Sequence, residues 1–466
     1  MLPLADDIGE KKMTERISKA IGQLTAQFGE NRVMTGGAIG ADYCHDEYPG
    51  GSFAPDAVIE VKSTEEAAAV LKICGEHEVP VTVRGAGTGQ VGGCVAVKGG
   101  VIMSLRGMDA VLEVSEAEKT MRVQAGALLQ DVKAEAEKHG LYYPPDPGEK
   151  TATIGGNAAT DAGGPCAVKY GSTRDYIVDA VLVLADGSVT TLAGHESAIG
   201  SEGTQAVITE LTLKLIDKPK ADAILLLPFM DAESCIKAAE VIGGMDCAPA
   251  VLEYMDTDMI EFSGKVTGNP VFPVEMDGER VAATLMVVLE GDDDDLVMEQ
   301  MEAVAGLAEE GEIEPLDILV GDTTTMKRDF WAAHSAFHTS MESGAKSAYE
   351  VNVDVPMSAA AEMIEFAKKT AEENELKAYI HAHLASGGMH IHLASDKEKD
   401  ASKADAKEFF DAAYAKCLSL GGDIVGEYGV GYAKTAYLPE DKKAAFKAAK
   451  AELDPKGILN PGKVAE

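Results

Sequence analysis

Residues 79–93 read VPVTVRGAGTGQVGG, a β-branched run that breaks into glycines at 85, 87, 89, 92 and 93. Gly87, Gly89 and Gly92 have the spacing of a dinucleotide-binding turn, and Asp109 stands roughly 20 residues on, where such a turn wants its acid. That turn must open into a helix. The next residues are CVAVKGGVIMSL (94–105), β-branched and split by Gly99-Gly100, which cannot supply a helix N-terminus. The doubly wound nicotinamide reading fails on this context. There remains a strand running into glycines whose backbone N–H groups can turn together toward an anion. Taken alone, such a run is better explained as a tight turn without a ligand.

Outward from this stretch the pattern is regular. AVIEVK (57–62), VIMSL (101–105) and MRVQAG (121–126) are strand-like. Residues 64–77 form a helix capped by Ser63 or Thr64, and ALLQDVKAEAEKHG (127–140) a helix closed by Gly140. VDAVLVLADGSVTTL (178–192) reads as a hairpin turning at Asp186-Gly187, with a strand after it over 206–216. Further on, 221–229, 282–291, 347–358 and 377–384 are strand-like, alternating with helices over 232–243, 296–311 and 359–374. The tail returns to strand at DIVGEYGVG (423–431), then a helix (441–453) and an extended end. Ile17, Ile21, Leu24 and Phe28 have the spacing of an amphipathic helix near the start. The expectation is an α+β chain: a helical extension over 1–35, one unit over 36–218, a second over 219–415, and a C-terminal segment over 416–466.

A length of 466 residues asks for more than one core. With 41 Lys+Arg against 78 Asp+Glu, the formal charge of −37 argues against nucleic acid and anionic membrane surfaces as partners. The seven cysteines are scattered and never form a CxxC, so a reduced compartment is expected rather than a disulfide frame or an iron–sulfur site. No secretory signal and no apolar run of membrane-spanning length is apparent, and the expected location is cytoplasmic.

A second glycine-rich stretch, PPDPGEKTATIGGNAATDAGGPCAVKYGSTRD (144–175), and a third, GSEGT (200–204), change the weight given to the first. Glycine at this density costs backbone entropy, which a fold sustains where a flat or extended ligand presses on main chain. Three such stretches in one unit suggest a large cofactor. In this order, and with a terminal LNPGKV (459–464), they resemble the FAD-binding oxidoreductases of the vanillyl-alcohol-oxidase type, above all the D-lactate dehydrogenase and glycolate oxidase D-subunit branch. The resemblance runs from about Asp42 to Lys463. It implies a two-subdomain FAD-binding domain over 36–218 and a substrate- and metal-binding cap over 219–415, the cap an antiparallel sheet covered by helices. The segment 416–466 would return to the flavin. Flavin contacts are implied at Arg84, Gly85, Gly87, Thr88, Gly89, Gly92, Pro145, Asp146, Gly155, Gly156, Asn157, Gly163, Gly164, Gly203 and Asn460. Neither of the first two glycine stretches holds a histidine, which favours non-covalent FAD over a tether at Cys94 or Cys166. Only SVTTLAGHESAI (188–199) separates the Asp-Gly hairpin from GSEGT, and Cys166 takes a place that is often basic in the family.

Six of the ten histidines fall between 334 and 392. KAYIHAHLASGGMHIHLAS (377–395) reads as two strands joined by a four-residue loop, and alternation puts His381, His383, His390 and His392 on one face. If Leu384 faces Met389, His383 opposes His390 and His381 opposes His392. Histidines on a half-exposed sheet can simply be solvated; two opposed pairs make a metal-ligand role the better reading. Glu427, between glycines in GGDIVGEYGVGY (421–432), is a possible third ligand, and two His plus one carboxylate leave a divalent ion open to substrate. The resemblance implies the set His383, His390 and Glu427, holding Fe, Zn or Mn. It also implies oxidation of a D-2-hydroxy acid, D-lactate to pyruvate first, with hydride passing to flavin N5.

The chain departs from the family pattern where the base and the carboxylate clamp belong. Tyr428 replaces the family's base histidine, and His334, in FWAAHSAF (330–337), replaces its arginine. Tyr428 can serve as base only if the ion lowers its pKa strongly; otherwise His381, His392 or His334 takes the proton. Arg328 and Lys346 are alternative clamps. Electrons are expected to leave to a soluble redox partner such as electron-transfer flavoprotein. The alternative is a catalytically inactive flavin-binding subunit of a glycolate-oxidase-like complex.

Overall fold

The computed structural model describes residues 5–246 and 249–464, so Cys247 lies outside them. The strand Val81–Arg84 enters a four-stranded sheet beside Val101–Ser104, with which it runs parallel; Ala57–Glu60 and Val33–Thr35 complete the sheet. The glycines after Arg84 run as turns and no helix comes after them. A second, five-stranded antiparallel sheet holds Val111–Ser115, Thr120–Gln124, Val207–Lys214, Ile177–Val183 and Val189–Thr191. Both sheets pack into one core with the helix Thr64–His77, which Ser63 caps, and with the opening helix Ala5–Phe28. Ile17, Ile21, Leu24 and Phe28 face that core, as their spacing requires.

The glycine-rich stretch 144–175 is not all loop. Ile154–Thr160 forms a short helix capped by Thr153, and its small residues let it sit close on the sheet. At Gly155 a Cβ would stand 2.6 Å from the Cβ of Ala125.

The second unit is built on a seven-stranded antiparallel sheet in the order Leu319–Gly321, Ala221–Phe229, Ala283–Gly291, Val251–Asp256, Lys377–His383, Gly388–Ser395, Ser347–Asp354. One face carries the helices Ala232–Gly243, Asp294–Glu309, Met357–Glu373 and Lys399–Ser419 over a large apolar core. The other face carries Thr257–Thr267, Thr324–Ser335 and Phe337–Gly344, which the sequence pattern did not announce. Residue 415, the expected end of the cap, lies inside the helix Lys399–Ser419.

The tail departs from expectation. Residues 423–431 form no strand; only Asp423 bridges to Asp354. Gly426, Gly429 and Gly431 take φ of 58°, 81° and 52°, which no strand accommodates. The resulting loop is fastened to the first unit, where the Glu202 carboxylate accepts from the backbone N–H groups of Val430 and Gly431 at 2.7 Å each. Lys434, buried beneath it, donates to the carbonyls of Asn352, Ile424 and Val425.

Candidate active site

A cavity of about 550 Å³ lies between the glycine-rich turns of the first unit and the histidine face of the second. Of the residues expected at the flavin, Gly85, Gly87, Thr88, Gly89, Asp146, Gly155, Gly156, Asn157 and Gly203 border it. Arg84, Gly92, Pro145, Gly163, Gly164 and Asn460 are not among the lining residues. Several of them brace the wall from behind. Arg84 donates to the carbonyls of Asp42 and His45 at 2.8 and 2.9 Å. Asn460 donates to those of Gly93 and Glu202 at 2.9 and 2.6 Å. Gly164, at φ 123°, passes so close to Asp146 that a Cβ would sit 2.3 Å from its carbonyl oxygen. Asp146 pairs with Lys133 and Lys150 at 2.6 and 2.7 Å.

The opposite wall is made of side chains. His381, His383, His390 and His392 share one face, while Ile380, Ala382, Met389 and Ile391 turn into the helix-covered core. The register differs from the expected one by two residues. His381 opposes His390, Tyr379 opposes His392, and His383 opposes Gly388, because the turn occupies 384–387 with Gly387 at φ 90°. His383 and His390 are thus diagonal neighbours, and their Nε2 atoms still approach to 3.3 Å. Glu427 arrives from the tail loop, its N–H held by the Asn352 side chain. Its carboxylate lies 3.3 Å from His383 Nε2 and 3.7 Å from His390 Nε2, with Oε1 lacking a hydrogen-bond partner.

Two carboxylates missing from the sequence-based set organise this wall. Glu253, fully buried on the neighbouring strand, receives His383 Nδ1 at 2.5 Å on one oxygen and His334 Nε2 at 2.9 Å on the other. Glu350 receives His390 Nδ1 at 2.8 Å and the Tyr428 hydroxyl at 3.0 Å on one oxygen, and His338 Nδ1 at 2.9 Å on the other. A signal for Glu350 was present in SAYEVNVD, where alternation sets Glu350 and Asn352 apart from Val351 and Val353. Glu253 sits in a strand that is apolar on both sides of it, and its role comes only from pairing with 381–383.

Burial and pairing compete at every ionisable group of this wall. Burial opposes ionisation of Glu253, yet His383 and His334 hold it below the usual carboxylate range. Burial likewise opposes Glu350, which His392, His338 and His390 hold well below that range. Burial disfavours the charged form of His383, but Glu253 and Glu427 raise its pKa well above the ordinary value. His381 goes the other way: burial, then the neighbouring histidines, push it well down. Burial lowers His392 to about 4. Tyr428, half-buried and donating to Glu350, has its pKa pushed well up by desolvation and by the Glu350 and Glu427 carboxylates. Arg328 and Lys346 pair with Asp329 and Glu398 on exposed surfaces and do not line the cavity.

Both cofactor expectations can be tested on these residues. Each metal-ligand candidate has its other ring nitrogen on a buried carboxylate, His383 on Glu253 and His390 on Glu350, the arrangement that orients metal-bound imidazoles. With the unpartnered Glu427 oxygen, the donor set fits a divalent ion. On the other wall, Asn157 Nδ2 is buried without an acceptor at the cavity's edge, and the glycine turns leave main chain open beside it. These features fit a flat, acceptor-rich ring system. Burial pushes the thiols of Cys94 and Cys166 up to about 12, far from the thiolate that covalent attachment needs.

Residues 55–193 match the FAD binding domain family, and residues 218–464 match the FAD linked oxidase C-terminal domain. The chain is 38% identical over 452 residues to a D-lactate dehydrogenase of Anaerostipes hadrus, covering 93% of this chain and 94% of the relative. It is 31% identical to glycolate oxidase subunit GlcD of Bacillus subtilis, over 91% of each. Among solved structures, p-cresol methylhydroxylase with substrate bound superposes with a TM-score of 0.82 at 17% identity, covering 97% of both chains.

Proposed function

The chain belongs to the FAD-linked oxidases, and from that premise we propose that it is an active dehydrogenase of a small D-2-hydroxy acid, D-lactate first. The observation that supports this reading is the cavity's pair of unlike walls: glycine-rich main chain on one side and a carboxylate-buttressed His2Glu set on the other. An inactive flavin subunit would have no use for buried Glu253, whose desolvation serves only to orient His383 and His334.

Bound non-covalently, FAD supplies a two-electron acceptor, and a Zn, Fe or Mn ion supplies a Lewis acid for the substrate hydroxyl. Gly85, Gly87, Thr88, Gly89, Gly155, Gly156, Asn157 and Gly203 would hold the first. His383, His390 and Glu427 would hold the second. Glu253 keeps the His383 Nδ1 proton in place, so that Nε2 presents a lone pair to the site. Glu350 does the same for His390. Tyr428 donates to Glu350 and positions it rather than taking a proton. The hydroxyl proton then needs a neutral acceptor inside the cavity. His381 is one: buried, stacked on His390 at 4.4 Å, and with Nδ1 bonded to nothing. His334 is occupied by Glu253 and borders the same space beside Trp331, where it shapes the substrate end.

Electrons leave to a separate redox partner, with electron-transfer flavoprotein the first choice, and the formal charge of −37 favours a basic partner over an acidic one. The six described cysteines are all free, and no helix among the described residues is long and apolar enough to cross a membrane.

Anaerobic mixing of the flavoprotein with D-lactate, L-lactate, glycolate and D-2-hydroxyglutarate tests the reading. D-lactate should bleach the flavin fastest; a flavin left oxidised by all four would overturn the assignment.

A further inference from the structure

We propose that His338, Glu350 and His392 form a second divalent-cation site beside the His383, His390 and Glu427 set, and that its ion receives the substrate carboxylate in place of a cationic side chain. The carboxylate's identity rests on the hydroxy-acid reading above; the ion site stands on the geometry alone.

The three residues come from the helix Phe337–Gly344 and the strands Ser347–Asp354 and Gly388–Ser395. One donor atom from each lies within 4.8 Å of the others. His392 is 1% exposed, its Nε2 has no partner, and its Nδ1 reaches Glu350 Oε2 only at 3.7 Å. A buried imidazole left without hydrogen bonds costs free energy that a bound ion would offset. Glu350 joins the two sets: one oxygen takes His390, and the other faces His338 at 2.9 Å and His392. His338 remains a third exposed, which leaves an entry for the ion at the cavity's rim.

Charge balance favours the same conclusion. Glu253, Glu350 and Glu427 place three carboxylates around this wall. Among the described residues, the one lysine bordering the cavity, Lys150, belongs to the opposite wall and pairs with Asp146. Three carboxylates on a wall that, among the described residues, no lysine or arginine borders make a second cation favourable before an anionic substrate arrives. Two nitrogens and one oxygen suit Mn, Fe or Zn.

The test is to dialyse the FAD-loaded protein against excess Mn²⁺ and count metal per flavin by mass spectrometry. The proposal expects two Mn per flavin in the natural chain, one in His338→Ala and in His392→Gln, and one in His383→Ala. Electron paramagnetic resonance should show spin–spin broadening in the natural chain and an isolated six-line signal in each variant. His338→Ala should also raise KM for D-lactate at least tenfold, with a smaller change in kcat. One Mn per flavin in the natural chain, or two retained in both His338→Ala and His392→Gln, overturns the site. Retained flavin absorbance shows that a variant has folded; if His338→Ala fails that check, His392→Gln and the count in the natural chain decide. Two ions without bleaching by any hydroxy acid would sink the proposed function and leave the site standing. Bleaching with a single ion would do the reverse.

Discussion

The two walls of the cavity are built from different materials. The first is main chain: glycine turns and a short helix of small residues, braced from behind by Arg84 and Asn460. The second is side chain: four histidines on one sheet face, two of them, His383 and His390, held by carboxylates from other strands. A wall of main chain tolerates little added volume, since a single methyl group collides with backbone. A wall of side chains tolerates volume and depends instead on charge and tautomer. Damage to the two should therefore separate cleanly, flavin loss on one side and lost turnover with flavin retained on the other.

The sharpest separation is expected from His383→Ala. Turnover with D-lactate should fall on the order of 10³-fold, about 4 kcal/mol of transition-state stabilisation, while the flavin spectrum stays intact. Steady-state kinetics and absorbance on one sample check both halves, and turnover near the natural rate would break the comparison. Glu253→Gln should cost roughly 10–100-fold in turnover or metal affinity, because the His383 tautomer is no longer imposed. Metal titration of the variant reads that change.

On the other wall, Gly155→Ala should destabilise by about 1–3 kcal/mol, through the collision with Ala125, and release flavin during gel filtration. Its metal content should not change. Tyr428→Phe should lower turnover less than about tenfold and leave the pH profile in place, since its hydroxyl is spent on positioning Glu350. A loss near 10³-fold would restore the tyrosine as base.

A further effect concerns pH. Burial lowers Lys463 from its ordinary range to about 7, against opposing pulls from Cys94, Asp46 and Glu202. Between about 7 and the unfolded value near 10.5 the folded chain then binds fewer protons than the unfolded one. Stability should accordingly rise with pH across that window, by up to about 1 kcal/mol per unit, and be lost as pH falls toward 7. Urea unfolding at pH 7 and 9 should show this slope in the natural chain and a shallower one in Lys463→Met.

Much of the molecule is legible in its sequence, and unevenly. The strands at 221–229 and 282–291 and the helix over 232–243 come from local periodicity, and the structure has them; the strand expected over 347–358 ends at Asp354, and Met357 already opens the next helix. The strand expected at 423–431 is absent, because an apolar pattern does not reveal that Gly426, Gly429 and Gly431 need positive φ where the loop meets Glu202. The hairpin's histidines do share one face, since alternation alone decides that. Their register differs from the expected one, since it depends on which four residues the turn consumes.

Sequence by itself determined the glycine wall, the shared face of four histidines and the candidacy of Glu427. Glycine spacing and strand alternation are local, and they survive without knowledge of neighbours. Only tertiary structure decided that Glu253 and Glu350 complete the histidine wall and that Arg328 and Lys346 stand outside it. A buried carboxylate is tolerated only where distant strands bring partners to it, and no local pattern records which strands those are.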